Sequence, residues 1–185
     1  VLRTGTQTDH FLSMTGGLGN GNYYASFGYT NQEGVIKPNG MERISVRMNA
    51  DQKVTNWLKL TSSLSYSETQ YKGLNNGYNS ISGAMFSAVR QLPNTPIYDP
   101  STPTGYNIFT SGTTSMVGQW DNYIPITSSL TNIAYIVNNN KYQSDLTRFI
   151  GSIAADVKIT DWASYKLQVS KDRSVTTGFL YWNRV

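Results

Sequence analysis

The sequence predicts an all-β chain: an antiparallel up-and-down meander of about six strands, interrupted by one long loop. Three observations predict it. Apolar and polar residues alternate with period two over several stretches, as in strands with one apolar and one wet face. A short phrase occurs twice, ADQKVTNW at 50–57 and ADVKITDW at 155–162, with Arg43 and Arg148 at the same offset upstream. Each copy reads as strand, tight turn, strand. Finally, clusters of glycine and asparagine punctuate the remaining alternating stretches.

In chain order, Leu12 and Met14 alternate with Phe11, Ser13 and Thr15, and a turn follows at 17–22, rich in Gly and Asn. Tyr23, Ala25, Phe27 and Tyr29 then oppose Tyr24, Ser26, Gly28 and Thr30. A loop with Gly34, Pro38 and Gly40 leads to the first repeated hairpin. Its first strand places Ile44, Val46, Met48 and Ala50 on one face, and Arg43, Ser45, Arg47, Asn49 and Asp51 on the other. Its second strand places Leu58, Leu60, Leu64 and Tyr66 against Lys59, Thr61, Ser63, Ser65 and Ser67. Residues 1–67 are therefore expected to hold four strands. The alternation breaks over 68–142, a stretch too long for a structureless connection. Within it, residues 81–92 carry helical spacing stopped by Pro93, a series of prolines predicts extended chain, and 130–137 is an apolar patch expected to form one or two helical turns. Residues 143–185 are expected to hold two more strands around the second repeat, ending in the start of a loop near Phe179.

Two environments fit such strands: the apolar face meets a second protein layer, or it meets lipid while the polar face lines water. Net charge is +4 and scattered, with no basic run and no RNA-binding motif, so nucleic acid is not an expected partner. Cysteine is absent, and His10 stands without a partner histidine, so no metal site is expected. No apolar run reaches the roughly 18 residues of a transmembrane helix, but barrel strands hide their apolarity in alternation. The first residue is Val1, which reads as an internal segment of a longer precursor. The short turns at 17–22, 53–56 and 158–161 fall on one side and the long connections on the other, as in outer-membrane barrels. Six strands do not close a membrane barrel, which begins at about eight, so the lipid reading makes this chain a slice of a larger wall.

Particular residues then carry a resemblance. Leu2-Arg3-Thr4-Gly5, the run from His10 to Gly17, and YYASFGYTNQEG at 23–34 resemble the SusC/RagA family of TonB-dependent outer-membrane transporters of the Bacteroidota. The likeness continues through Glu42-Arg43, the turn at 53–58, Leu92-Pro93 with Pro96-Ile97-Tyr98-Asp99, and 148–162. One departure is Asn132-Ile133, where Asn-Pro is expected. The resemblance implies a large, plugged, 22-strand-type barrel in the outer membrane, capped by a SusD-like surface lipoprotein. It also implies import of oligosaccharides or peptides with energy from TonB, whose contact region lies outside this segment. No enzyme activity and no cofactor are implied.

Arg43, Arg47, Asp51 and Arg148 are expected to face the lumen, where a network bracing strands or plug competes with a substrate path. Trp57 and Trp162 stand at the turns, where an interfacial aromatic belt is expected. Tyr106, Trp120 and Tyr123 in the long loop are candidates for stacking on a substrate, against packing of the loop on itself or on a lid. Asp99 and Asp121 are the loop's only carboxylates after Glu68, with no catalytic geometry to support hydrolysis. The rival reading from another class is a soluble β-sandwich carbohydrate-binding module.

Overall fold

The computed structural model describes residues 2–74, 88, 96–107, 116–117, 124–125, 132–139 and 141–181. The first four strands are β1 (Gln7–Leu18), β2 (Gly21–Glu33), β3 (Gly40–Lys53) and β4 (Leu58–Gly73). Two short strands, β5 (Met116–Val117) and β6 (Ile124–Pro125), pair with each other. A helix, α1 (Ile133–Asn139), precedes β7 (Lys141–Lys158) and β8 (Ser164–Tyr181). The main sheet is six-stranded, in the order β1-β2-β3-β4-β7-β8, antiparallel throughout.

The strands are longer than the alternation suggests. β4 continues past 67 to Gly73, and β8 continues to Tyr181, so the loop expected near Phe179 does not begin within the described residues. The reason is chemical. From Glu68 to Lys72 both faces are mostly polar, so the periodicity vanishes while the ladder continues. The helical spacing at 81–92 lies outside the described residues apart from the helical Ala88.

The register is unbroken, so every rung joins residues of one face. Leu12, Phe27, Val46, Tyr66 and Phe149 make one apolar rung, and Met14, Ala25, Met48, Leu64 and Gly151 the next. No second layer covers this face among the described residues: Leu12 is 73%, Met48 55% and Val46 36% exposed. A β-sandwich requires such a layer, and the described residues do not supply one. The buried apolar cluster that does exist, Ile36, Leu74 and Ile136, sits beside the long connections instead.

The apolar band also drifts across the sheet. On β2 and β3 it runs from Tyr29 and Ile44 to Tyr23 and Ala50. On β8 its continuous run is Tyr165, Leu167 and Val169, centred further toward the short turns, before Lys171 and Arg173 separate it from Val175, Phe179 and Tyr181. The drift is about five residues over four strand steps; at about 3.3 Å per residue and about 4.8 Å between strands, a level band then requires a strand tilt of roughly 40°. Membrane barrels tilt their strands by about 35–45°.

Two glycines permit close packing on this face. The Tyr23 ring and hydroxyl lie where a side chain on Gly16 would be, and the Phe149 ring lies 3.1 Å from a Cβ placed on Gly151. Each aromatic ring covers the backbone its glycine leaves bare.

Candidate functional site: the polar face and the loop platform

The polar face carries Arg43, Arg47, Asp51 and Arg148, as expected from the alternation. The sheet does not gather them into one cluster. Arg43, Arg47 and Asp51 are spaced along β3, and Arg148 lies two strands away in the row of Ser45 and Ser67. Strand spacing puts that separation at about 10 Å. Arg148 is committed to Asp172 of β8, with Nε and Nη2 donating to its two carboxylate oxygens at 3.2 and 2.6 Å. Asp51 pairs with Lys59 across the hairpin at 3.3 Å. Arg43 reaches the Thr30 hydroxyl at 3.5 Å, a weak contact. Arg47 lies between Ser26 and Ser65, with no side-chain partner among the described residues. The floor around these cations is mostly small and polar, with Ser45, Ser63, Ser65, Ser67 and Ser152, and Ile150 in the row of Arg47 is an apolar exception.

The two repeated turns are neighbours at the other rim. In each, two successive amides donate to one carbonyl: Val54 and Thr55 to Leu58 oxygen, Ile159 and Thr160 to Ala163 oxygen. The amide of Lys158 donates to the Trp57 carbonyl at 2.7 Å, joining the copies side by side. Trp57 and Trp162 project from these turns, 55% and 89% exposed.

At the opposite rim the long connections are tied down by side chains whose role the sequence did not disclose. Arg3 donates to the carbonyls of Gly34 and Asn39 at 2.9 and 3.1 Å and pairs with Glu33 at 3.3 Å. Asn39 in turn accepts from the Leu74 amide at 2.9 Å. Gly73 is required beneath it, since its φ is +154° and a Cβ would lie 2.5 Å from the Asn39 side-chain oxygen. Arg3, one of the residues that carry the family likeness, is therefore a brace for this rim.

Asn132 is the hub of the loop platform and is only 3% exposed. Its Oδ1 accepts from the amides of Ala134 and Tyr135 and caps α1, while its Nδ2 donates to the carbonyls of Ile97 and Asn107 at 2.6 and 3.2 Å. The position after the cap tolerates proline because its N–H is unused within the helix. Ile133 there keeps the helix and packs on the Ile36–Leu74–Ile136 cluster. The departure from Asn-Pro is thus absorbed.

Residues 96–107 form a small knot on this platform. Pro100 and Pro103 sit at the second positions of two successive turns, closed by Thr102 N–H to Asp99 oxygen and Gly105 N–H to Thr102 oxygen. The expected extended chain is thus folded back at these two prolines, because each fixes φ for a turn as well as for extension. Asp99 accepts from both the hydroxyl and the amide of Ser101, at 2.6 and 2.9 Å, which holds its carboxyl below the ordinary 3.8. Tyr106 is wedged between Tyr98 and Tyr135, with ring centroids 5.4 and 5.5 Å apart, and its hydroxyl accepts from Asn138. Trp120, Tyr123 and Asp121 lie outside the described residues.

A tilted antiparallel sheet with an uncovered apolar face, a hydrated opposite face, short turns on one rim and long connections on the other defines a wall segment of a membrane β-barrel. No family model matches the chain. Its sequence is 32% identical to the TonB-dependent receptor P26 of Formosa agariphila, over 78% of this chain and 12% of that protein. It is 26% identical to the TonB-dependent receptor SusC of Bacteroides thetaiotaomicron, over 92% of this chain and 17% of that protein. Among solved structures, the RagAB peptide transporter superposes over 96% of this chain and 18% of that one, with a TM-score of 0.68 and 20% identity. Its closed-closed state gives 0.63 and 19%. The chain thus belongs to the SusC/RagA type of TonB-dependent receptors, outer-membrane barrels of which it spans under a fifth of the length. Its named relatives are receptors and transporters rather than enzymes.

Proposed function

We propose that this chain is a stretch of wall, with one extracellular loop, of a transporter importing oligosaccharides or peptides across the outer membrane. TonB supplies the energy through a region outside this segment, and a SusD-like lipoprotein closes the extracellular mouth. The observation that carries this reading is the division of labour between the faces. The outward face offers lipid a tilted apolar band, while the opposite face lines water with serines and arginines. Trp57 and Trp162 anchor the short-turn rim at the membrane interface. Arg43, Arg47, Asp51 and Arg148 line the lumen. Arg148 and Asp51 serve as braces through their ion pairs, and the less engaged Arg43 and Arg47 remain for substrate or plug. Tyr106 packs the loop on itself; Tyr98, 65% exposed, presents the ring available to a substrate or the lid. Trp120 and Tyr123 remain candidates for the same stacking role.

Deleting residues 98–123 from the full-length receptor is expected to leave the barrel assembled and heat-modifiable on gels, and to abolish uptake of the cognate nutrient or capture of the lid lipoprotein. Normal growth on that nutrient together with normal lid capture would contradict the proposal.

A further inference from the structure

Above its apolar run, β8 carries two basic residues on the lipid face. The rungs place Lys171 opposite Gly151 and Arg173 opposite Phe149, on the face of Val46 and Met48. The residue between them, Asp172, points to the other face, where Arg148 holds both its oxygens. It therefore does not neutralise its neighbours. Neither Lys171 nor Arg173 has an ion-pair partner among the described residues. Among the described residues the nearest outward carboxylates are Glu68, two strands away beside the Tyr66 hydroxyl, and Asp145, held by the amides of Gln70 and Gln143. With about 3.3 Å per residue and a tilt of roughly 40°, the pair stands roughly 18–23 Å above the short-turn end of β8, near the far edge of a band about 25 Å tall. Two cations at that height, unpaired among the described residues, face the headgroups of the outer leaflet, above Val169 and beside Phe149.

We propose that Lys171 and Arg173 form a binding site for the phosphate of an anionic lipid of the outer leaflet, with the apolar rungs below them receiving its acyl chains. Lys171 supplies a compact charge and Arg173 a forked donor suited to phosphate oxygens. Gly151 opposite Lys171 brings no side chain of its own that could pair with the cation, and the Phe149 ring that covers it offers an apolar neighbour. The inference rests on the membrane assignment of the outer face and is independent of what the receptor transports.

The test uses the full-length receptor in detergent, exposed to equal amounts of bisphosphorylated lipid A and the same lipid with its phosphates removed, with retained lipid read by native mass spectrometry. Wild type is expected to prefer the phosphorylated lipid, and Lys171→Gln with Arg173→Gln to reduce its retention by roughly five-fold per residue, the weight of one cation near an anionic surface. Lys171→Arg with Arg173→Lys keeps the preference, and Lys166→Gln on the lumen face leaves it unchanged. Equal retention of the two lipids by wild type overturns the proposal without recourse to any variant. So does undiminished retention by the doubly neutralised receptor, which would assign the two cations to a carboxylate elsewhere in the barrel.

Discussion

The sheet and the loop platform are built by opposite means. The sheet is held by an unbroken ladder whose backbone bonds are indifferent to side-chain identity, so its side chains are free to divide between lipid and water. The platform has almost no ladder. Single side chains hold it by binding backbone groups far away in sequence: Arg3 to Gly34 and Asn39, Asn132 to Ile97 and Asn107. The sheet should therefore forgive most substitutions that respect a face, whereas the platform should fail at a few positions.

The largest effect expected is on the sheet's one strict rule. Val46→Arg puts a cation in the apolar band and should cost roughly 2–4 kcal/mol, the depth-dependent penalty on a barrel's lipid face. Its neighbour Ser45→Arg enters the hydrated face and should be tolerated. Surface yield and heat-modifiability of the full-length receptor measure both; equal damage at the two positions would erase the distinction between faces.

Next comes the platform hub. Asn132→Ala removes the cap of α1 and leaves two loop carbonyls without their donor, a local loss of about 2 kcal/mol. Hydrogen exchange at Ala134 and Tyr135 should accelerate by roughly thirty-fold, with the barrel strands unchanged. Asn132→Asp sharpens the assignment: it keeps the cap acceptor, so α1 should stay protected while the 96–107 knot loosens. Protection unchanged in both variants would show that the hub carries nothing.

The smallest effect is a pH response in the knot. The Asp99 carboxylate is favoured by two donors from Ser101, so its value is lower in the folded loop than in an unfolded one. Its contribution is present above the ordinary 3.8 and is lost as pH falls below it toward the folded value. The Ser101 amide should therefore lose exchange protection in acid, and Asp99→Asn, which keeps the acceptor, should remove that dependence. A Ser101 amide indifferent to acid in the wild-type receptor would contradict it.

The same contrast explains what the sequence made legible. Period two needs only local residues and one rule about environment, so the six strands, their order and their faces follow from the chain itself. It fails where the environment stops discriminating. Past Glu68 both faces are wet, and the strand's last turnless stretch to Gly73 leaves no pattern. The platform is less legible because its contacts span about thirty residues or more and run from side chain to backbone, for which no periodicity exists. One signal was available: Asn132 stands just before an apolar run, an N-cap signature. Nothing comparable marked Asp172 as the partner of Arg148, since a period-two strand fixes the face but not the pairing.

The central claim is that lipid covers the row holding Ile44, Val46 and Met48. The segment has no cysteine, so single cysteines at each position from 44 to 51 can carry a nitroxide label in the full-length receptor in bilayers. Collision with oxygen, which concentrates in lipid, should peak at 44, 46, 48 and 50, and collision with a water-soluble nickel chelate at 45, 47, 49 and 51. A flat profile, or low accessibility to both reagents along the even positions, would mean that protein rather than lipid covers that row.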